Sequence, residues 1–333
     1  MSDIHSWLAV MPKAELHLHI DGSLQASRLL QLAAKNGVAI PYDSVESVQA
    51  AYEFEDLQSF LDLYYLGASV LRDEDDFYWL MRDYLDKCRE QKIVHTEIMV
   101  EPQTYLPYGV GIHTVMAGFK RAIAEAKAEW GQSALMMLSL LRHLSEDEAL
   151  AMLEMAEPFR DDFVAIGLAS SEMGHPPSKF KTLYETARSR GYKLVAHAGE
   201  EGPPEYIWEA IQLLGVDRID HGVRCVEDPA LVAHLVHKQI PLTVCPLSNV
   251  RLCVFDRMQD HNLLNMLEQG LCVTVNSDDP TYFGGFMNEN FSALADALAL
   301  SREQAKQLAA NSFRASFLPD DIKAQYLQQL EGY

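Results

Sequence analysis

The sequence predicts an α/β fold, a TIM-type (β/α)8 barrel, formed as a single domain by residues 1–333 with an insertion after the first strand. Three observations predict it. A chain of 333 residues fits one such barrel, and short apolar runs alternate along it with helical stretches. Polar side chains also gather where these runs end. An open, doubly wound sheet is the alternative, which periodicity alone does not exclude.

Eight apolar or β-branched runs have the length of strands: 15–20, 94–100, 135–141, 163–169, 193–198, 218–221, 241–245 and 272–277. Polar residues stand near or just beyond their carboxyl ends: His17, His19, Glu101, Ser170, His197, His221, Ser248 and Asp278. Barrel enzymes build their sites on that rim from several different strands, so this placement favours the closed barrel over the open sheet.

The segment 25–90 is longer than one crossover helix requires. It includes an aromatic-rich stretch, 54–65, which we expect either to cap a pocket above the first strand or to pack as a long helix against the barrel. Elsewhere, the stretches 145–148 and 301–304 pair a serine with a glutamate or glutamine three residues later. That spacing predicts reciprocal caps at two helix starts, which are not functional sites.

The chain is strongly acidic, with 48 Asp and Glu against 27 Lys and Arg and a formal net charge of -21. Such a surface repels a nucleic-acid backbone and an anionic membrane, so neither is expected as a partner. A small neutral molecule is the simplest remaining partner. The composition does not indicate an oligomeric state.

The cysteines are odd in number and widely spaced, without a CxxC pair: Cys88, Cys225, Cys245, Cys253 and Cys272. Several lie inside apolar runs, where a reduced thiol behaves as a small hydrophobe, so we expect a cytoplasmic location. The N-terminal residues lack a basic start followed by an apolar core, and no apolar run approaches the ~20 residues that span a bilayer. Secretion and membrane insertion are therefore not expected.

His17 and His19 lie two residues apart on the predicted first strand. Alternate side chains of a strand face the same way, so both imidazoles can bind one ion, and neutral imidazole suits zinc. The alternative is a pair of ordinary histidines. His197 can supply a third nitrogen and Asp278 an oxygen, which predicts one Zn²⁺ per subunit. The run 163–170 contains no lysine to bridge a second metal, so one metal is favoured over two.

Glu200 follows His197 by three residues, just after a glycine that ends the predicted strand. It can face a substrate beside the metal without being a ligand, and it is the natural proton carrier. His221 stands where a short strand ends and can orient or deprotonate an attacking water. A metal site beside a glutamate that is not a ligand suits hydrolytic attack on an aromatic carbon that bears an amine, as in the unrelated nucleobase deaminases.

Five motifs together make the chain resemble the adenosine and adenine deaminases of the amidohydrolase superfamily: 11–23, 195–200, 218–222, 245–249 and 276–280. The resemblance implies zinc on His17, His19, His197 and Asp278. It also implies that Glu200 protonates purine N1 as hydroxide adds to C6, that His221 steers the hydroxide, and that Asp279 holds N7. Ammonia or an amine then leaves.

Three further stretches, 170–180, 200–208 and 245–255, resemble the branch that acts on the free base adenine. This implies that adenine and water give hypoxanthine and ammonia, with Ser170 and Ser171 among the substrate-binding residues.

Two departures from that branch affect the predicted pocket. Ala169 stands where the branch carries a carboxylate. If that carboxylate accepts the N9 proton, its loss costs about 1.5–3 kcal/mol of binding. Met99 and Val100 replace two aromatic residues and would change the shape of the pocket. We therefore expect a site that admits an N6-substituted adenine of the cytokinin type; the alternative is that adenine is still preferred.

Three other functions compete with this prediction. The first is adenosine deamination. The second is hydrolysis of a non-purine amide or ester on the same scaffold, against which the missing lysine weighs. The third is a zinc-holding scaffold that binds purines without chemistry, against which Glu200 and His221 weigh, because a binding protein has no use for a proton carrier.

Overall fold

The computed structural model describes residues 4–54 and 57–333 and contains one sheet of eight parallel strands in the order β1 to β8. The strands are Lys13–His19, Ile93–Val100, Ser133–Leu141, Phe163–Ala169, Lys193–Ala198, Arg218–His221, Leu242–Val244 and Val273–Val275. Just beyond the last strand, the N–H of His19 donates to the carbonyl of Asp278 at 3.0 Å, and the N–H of Asp278 to the carbonyl of His17 at 3.1 Å. These bonds close the barrel, and the predicted fold class is confirmed.

The α-helices of the described residues lie before, between and after the strands. In chain order, α1 to α16 are Ile4–Val10, Ala26–Asn36, Val45–Ala50, Leu57–Ala68, Glu74–Glu90, Ile112–Trp130, Glu146–Met155, Lys181–Ser189, Pro204–Glu209, Pro229–Lys238, Pro246–Arg251, Leu263–Glu268, Pro280–Phe283, Met287–Leu298, Arg302–Ala315 and Asp320–Glu331. Serine and the residue three positions later cap the starts of α7 and α15 reciprocally, as predicted. Across the described ranges, no helix combines the length and apolarity needed to cross a membrane.

The predicted insertion is present as four helices, α2 to α5, between β1 and β2. Helix α4 carries most of the aromatic-rich stretch, of which residues 55 and 56 lie outside the described ranges. The ring centroids of Phe60 and Phe283 lie 4.8 Å apart, and those of Phe60 and Tyr282 lie 5.7 Å apart. Aromatic packing thus fixes α4 on the segment that follows β8, at the carboxyl end of the barrel.

Charged and apolar side chains fill the barrel below its carboxyl rim. The guanidinium of Arg218 is fully buried, donates to Glu97 at 2.6 Å and to the carbonyl of Leu16 at 3.1 Å, and stacks on Phe317. A buried charge needs such pairing. Side chains from four neighbouring strands pack together as a small apolar cluster: Met99, Met137, Ala165 and Val195. This filled interior leaves the rim as the place for a site.

Candidate active site

The ends of three strands bring the four predicted metal ligands to one point. His17 Nε2 and His19 Nε2 lie 3.1 and 3.2 Å from His197 Nε2. Both also lie 3.3 Å from Asp278 Oδ1. All four residues are buried. Residues that are far apart in the sequence therefore present three ring nitrogens and one carboxylate oxygen to the same small volume.

This donor set fits a zinc ion. Two imidazole nitrogens that face each other at about 3 Å need a proton or a metal cation between them, because their lone pairs otherwise repel. A tetrahedral zinc with bonds of about 2.0–2.1 Å spaces its ligands about 3.3 Å apart, which matches the observed distances. Two further residues lie close enough to these donors to share a metal ion with them. His221 lies with His17, His197 and Asp278, and Asp279 lies with His19 and Asp278.

Contacts behind the ligands orient them. His19 Nδ1 lies 2.6 Å from Glu101 Oε1, and His17 Nδ1 lies 3.0 Å from the hydroxyl of Thr243. Each Nδ1–H donates there and leaves Nε2 free to bind a metal, as such outer contacts do in metal sites. The hydroxyl of Ser248 donates to Asp278 Oδ2 at 2.6 Å, which leaves Oδ1 for the cluster. The role of Thr243 has no local signal in the sequence.

The electrostatics of the cluster demand a positive charge. Burial lowers the pKa of His19, but Glu101 and Asp279 beside it raise that pKa more, so it ends well above its usual value. Burial raises the pKa of Asp278, yet His17 beside it holds that pKa well below the usual value. Either a proton or a cation can supply the charge at this point.

In two other carboxyl groups, unlike Asp278, the pKa is shifted upward. Burial, and next the charge of Asp278, raise the pKa of Glu200 well above its usual value. Burial also raises the pKa of Asp279 well above its usual value. Both groups can therefore hold a proton beside an ionised Asp278, which is the division between acid and base that catalytic sites use.

His221 lies between the two carboxylates of the site. Its Nε2 is 3.4 Å from Glu200 Oε2 and 3.8 Å from Asp278 Oδ2. Burial, and next the neighbouring His17, lower the pKa of His221 to about 3, so its ring is neutral. A neutral ring has one donor and one acceptor nitrogen, and its hydrogen-bond partners decide which is which.

The loop that carries Glu200 is fixed by a carboxylate that sequence reasoning did not assign. The side chain of Glu172 accepts hydrogen bonds of 2.6, 3.1, 3.0 and 2.8 Å from the backbone N–H groups of residues 199, 200, 201 and 202. A Cβ at Gly202 would lie 2.5 Å from Glu172 Oε1, so only glycine admits this approach. Glu172 thus anchors the backbone of the proposed proton carrier.

Three residues other than glycine at the rim have left-handed backbone: Ser170 (φ 76°), His221 (φ 65°) and Asp278 (φ 64°). Ser170 follows β4, His221 ends β6, and Asp278 lies shortly after β8. Such conformations cost about 1–3 kcal/mol each and cluster at functional sites. No local pattern in the sequence announces them, because none of the three residue types requires positive φ.

A cavity opens over the cluster and contains most of the predicted substrate-binding residues. Its described lining residues are His19, Phe60, Leu61, Tyr64, Tyr65, Glu101, Leu141, Ala169, Ser170, Glu172, His197, Glu200, Glu201, His221, Leu252, Asp278 and Asp279. Four of these come from α4, so the aromatic-rich stretch caps the pocket and also packs against the barrel.

Met99 and Ser171 are not among these lining residues. Met99 packs one layer lower, with Met137, Ala165 and Val195, because alternate residues of β2 share a face and Glu101 occupies the next position upward. Val100 belongs to the main apolar core. The expectation that Met99 and Val100 shape the pocket directly therefore needs correction. Ala169 and Ser170 do line the cavity.

The chain matches a family model described as "Adenosine deaminase" over residues 12–333. It is 56% identical over 330 residues to an adenine deaminase of Hahella chejuensis, covering 99% of each chain. It is 52% identical over 323 residues to an adenine deaminase of Acinetobacter baylyi, covering 97% of each.

Two crystal structures are similar to this fold over nearly its full length. The adenine deaminase of Arthrobacter aurescens superposes with a TM-score of 0.95 and 47% identity, covering 97% of this chain and 98% of the other. An amidohydrolase of Burkhoderia ambifaria with bound Zn superposes with a TM-score of 0.92 and 25% identity, covering 100% of this chain and 94% of the other.

Proposed function

This chain belongs to the adenosine deaminase family, and from that premise we propose that it hydrolyses the 6-amino group of adenine to give hypoxanthine and ammonia. It is an aminohydrolase acting on the C–N bond of a cyclic amidine. One observation carries the proposal. Four atoms that could ligate a metal, and a carboxyl group that is not among them, Glu200, converge in one buried cavity.

We propose that His17, His19, His197 and Asp278 hold one Zn²⁺ per subunit. Their donor types and spacing support this, as does the zinc in a similar amidohydrolase. When bound, zinc would lower the pKa of a water molecule to about 7 and so make a nucleophile available at neutral pH. The contact from Glu101 to His19 then keeps that ring in the tautomer whose Nε2 can bind.

The protein's own side chains move the protons. Glu200 has a raised pKa, so it holds a proton near neutral pH and gives it to purine N1; the carboxylate so formed then takes a proton from the attacking water. Asp279, which is protonated for the same reason, donates a hydrogen bond to N7. His221 orients the attacking water. Water adds at C6, the exocyclic amine takes the proton of the new C6 hydroxyl, and the C–N bond breaks, so that ammonia leaves and the C6 carbonyl of hypoxanthine forms.

The pocket residues give the proposal its substrate. Three residues at the end of β4 are assigned to binding of the purine ring: Ala169, Ser170 and Ser171. Ala169 and Ser170 line the cavity, whereas Ser171 is not among its described lining residues. An N6-substituted adenine is the second candidate substrate. It is favoured by Ala169, which lines the cavity and offers no carboxylate to N9. Met99 does not favour an N6-substituted substrate, because it packs below the cavity.

We further propose that residues 1–333 act as one catalytic domain, with a purine base and no nucleic acid as partner. The net charge of -21 supports the exclusion of nucleic acid. The five cysteines are free thiols, which supports a cytoplasmic location.

Ultraviolet monitoring of the purified protein tests the proposal. Adenine, adenosine, N6-methyladenine and N6-isopentenyladenine are compared by kcat/KM. We expect adenine to be converted to hypoxanthine and adenosine to be a poor substrate. A kcat/KM for adenosine above that for adenine would contradict the proposal. If the kcat/KM of adenine exceeds that of both N6-alkyl adenines by about 100-fold, the second candidate is excluded, since even one extra methylene is worth about 10–200-fold in a matched pocket.

A further inference from the structure

A line of hydrogen bonds leads from the backbone to His221. The N–H of Leu263 lies 3.1 Å from His261 Nδ1. His261 Nε2 lies 3.3 Å from Asn249 Oδ1, and Asn249 Nδ2 lies 3.4 Å from His221 Nδ1. None of these contacts involves an atom of the four proposed zinc ligands.

The first bond sets the direction of all the others. A backbone N–H can only donate, so His261 Nδ1 accepts and the ring carries its hydrogen on Nε2. That Nε2–H donates to the amide oxygen of Asn249. The amide nitrogen of Asn249 then faces His221 and donates to its Nδ1. His221 is left with its hydrogen on Nε2, the atom that faces Glu200 and Asp278.

The surroundings keep this direction from reversing. Asn249 is fully buried and His261 is 5% exposed, so water does not compete for either side chain. The ring of His261 packs on Phe255, with 4.4 Å between ring centroids. Burial lowers the pKa of His261 to about 3, which keeps the ring neutral and Nδ1 able to accept.

We propose that Asn249 and His261 are positioning residues that hold His221 as an N–H donor toward the attacking water. The proposal rests on the proposed deamination. It decides whether His221 orients the attacking water or takes a proton from it. A ring with hydrogen on Nε2 presents no lone pair to the water, so His221 orients the water and cannot take its proton. Glu200, once it has given its own proton to N1, is then the group that accepts the proton of the water.

Helix α11 joins this function to the metal cluster. Ser248 and Asn249 are consecutive residues on it, and they contact Asp278 and His221 respectively. Their backbone is held in turn, because the N–H groups of residues 254 and 255 both donate to the carbonyl of Asn249. One short helix therefore orients a proposed ligand and the proposed water donor together.

Asn249→Asp is the first test. A carboxylate of the same size accepts from His261 but also accepts from His221, so it draws the hydrogen of His221 to Nδ1. A histidine in the wrong tautomer costs catalysis heavily, and we expect kcat to fall about 10²–10⁴-fold with KM changed less than about threefold. Nitrogen NMR of ¹⁵N-histidine-labelled zinc protein should show Nε2–H on His221 in the wild type and Nδ1–H in the variant. Zinc content should stay the same.

Two variants of His261 separate positioning from packing. Glutamine can accept from the N–H of Leu263 and donate to Asn249, so His261→Gln should keep most of kcat and the Nε2–H signal. Leucine does neither, so His261→Leu should lower kcat. Asn311→Asp is the matched control: Asn311 is 5% exposed, donates to the carbonyl of Val273 at the start of β8, and should lose stability with kcat unchanged.

A wild-type spectrum with Nδ1–H on His221, or an Asn249→Asp variant with wild-type kcat, would overturn the inference. If Asn249→Asp does not fold, the wild-type spectrum and the two His261 variants decide. Absence of adenine turnover together with an Nε2–H spectrum would instead refute the proposed function, so the two failures are distinguishable.

Discussion

At the scale of single residues, the site depends on carboxyl groups with opposite protonation. Asp278 is held ionised by His17, whereas burial keeps a proton on Glu200. The difference arises from position, because Asp278 touches the histidine cluster and Glu200 faces the cavity beside it. Identical functional groups thus take different roles within a few ångströms.

Glu200→Gln tests that division. The amide keeps the size of the side chain but neither takes nor gives a proton, so we expect kcat to fall about 10²–10⁴-fold. Elemental analysis should find zinc unchanged, because Glu200 is not a proposed ligand. Glu205→Gln, which changes an exposed carboxylate nearby, is the control and should keep full activity. Loss of zinc from Glu200→Gln would show that the proposed ligand set is wrong.

Glu172→Gln tests the anchor of the loop. The amide has one accepting oxygen and turns a donor toward the remaining N–H groups of residues 199–202, so we expect a loss of about 1–3 kcal/mol in unfolding free energy. Because the loop carries Glu200, kcat should also fall at least about tenfold. Hydrogen exchange at amides 199–202 should accelerate. Unchanged exchange there would contradict the assigned role.

At the scale of elements, the turn after β1 meets the segment after β8. The 3₁₀ turn Ile20–Ser23 contains Gly22, whose Cβ position lies 2.1 Å from Asp279 Oδ1 and 2.4 Å from Asp279 Cα. Only a hydrogen fits there. The closure of the barrel and the placement of a proposed substrate contact therefore depend on the same close approach.

Gly22→Ala should displace Asp279. We expect kcat/KM for adenine to fall about 10–100-fold, because small misplacements of a binding group are costly. Zinc content should be retained. Gly111→Ala is the matched control, since a Cβ at Gly111 has no atom within 4 Å and its φ is not positive. Equal kinetics for the two variants would contradict the argument.

At the scale of the whole molecule, metal binding couples the strands that close the barrel. The proposed ligands come from β1, β5 and the segment after β8. Removal of zinc with a chelator should abolish adenine turnover and lower Tm, and added Zn²⁺ should restore both. A ligand at about 1,000 times its Kd stabilises the folded state by about 4 kcal/mol. Full activity in a protein shown to be free of metal would contradict the proposal.

A buried lysine gives the fold a pH dependence of its own. Burial lowers the pKa of Lys13 from 10.5 to about 7 against a smaller opposing effect of the charge of Glu289, and the Lys13 nitrogen donates to the carbonyls of Leu8 and Met11, at 2.7 Å each. Between pH 7 and 10.5 the unfolded chain binds the proton more strongly, so stability rises with pH.

Lys13→Met removes this dependence. Across that interval, the unfolding free energy of the wild type should rise relative to the variant by up to about 1.4 kcal/mol per pH unit. Urea unfolding at several pH values measures both slopes. Parallel curves for the two proteins would contradict the assigned pKa.

Much of this protein follows from the sequence alone. All eight strands lie at or close to the predicted runs, because apolar composition and strand length are local properties. His17, His19, His197 and Asp278 were predicted together, since alternation along a strand and placement at strand ends are also local. The reciprocal caps of α7 and α15 follow from residues three apart.

Only the tertiary structure decided what depends on distance across the barrel. The alternation of side chains along β2 predicts which face of the strand Met99 occupies, but not how far below the rim it lies. Its position below the cavity was therefore not predicted. Glu172 binds backbone N–H groups that lie 27 to 30 residues further along the chain. The orientation of the Asn249 amide depends on the backbone N–H of Leu263, which donates to His261. The raised pKa of Glu200 likewise arises from burial by many elements at once. Sequence determines which groups are available at each strand end, whereas folding sets the separations and the exclusion of water that fix their protonation and orientation.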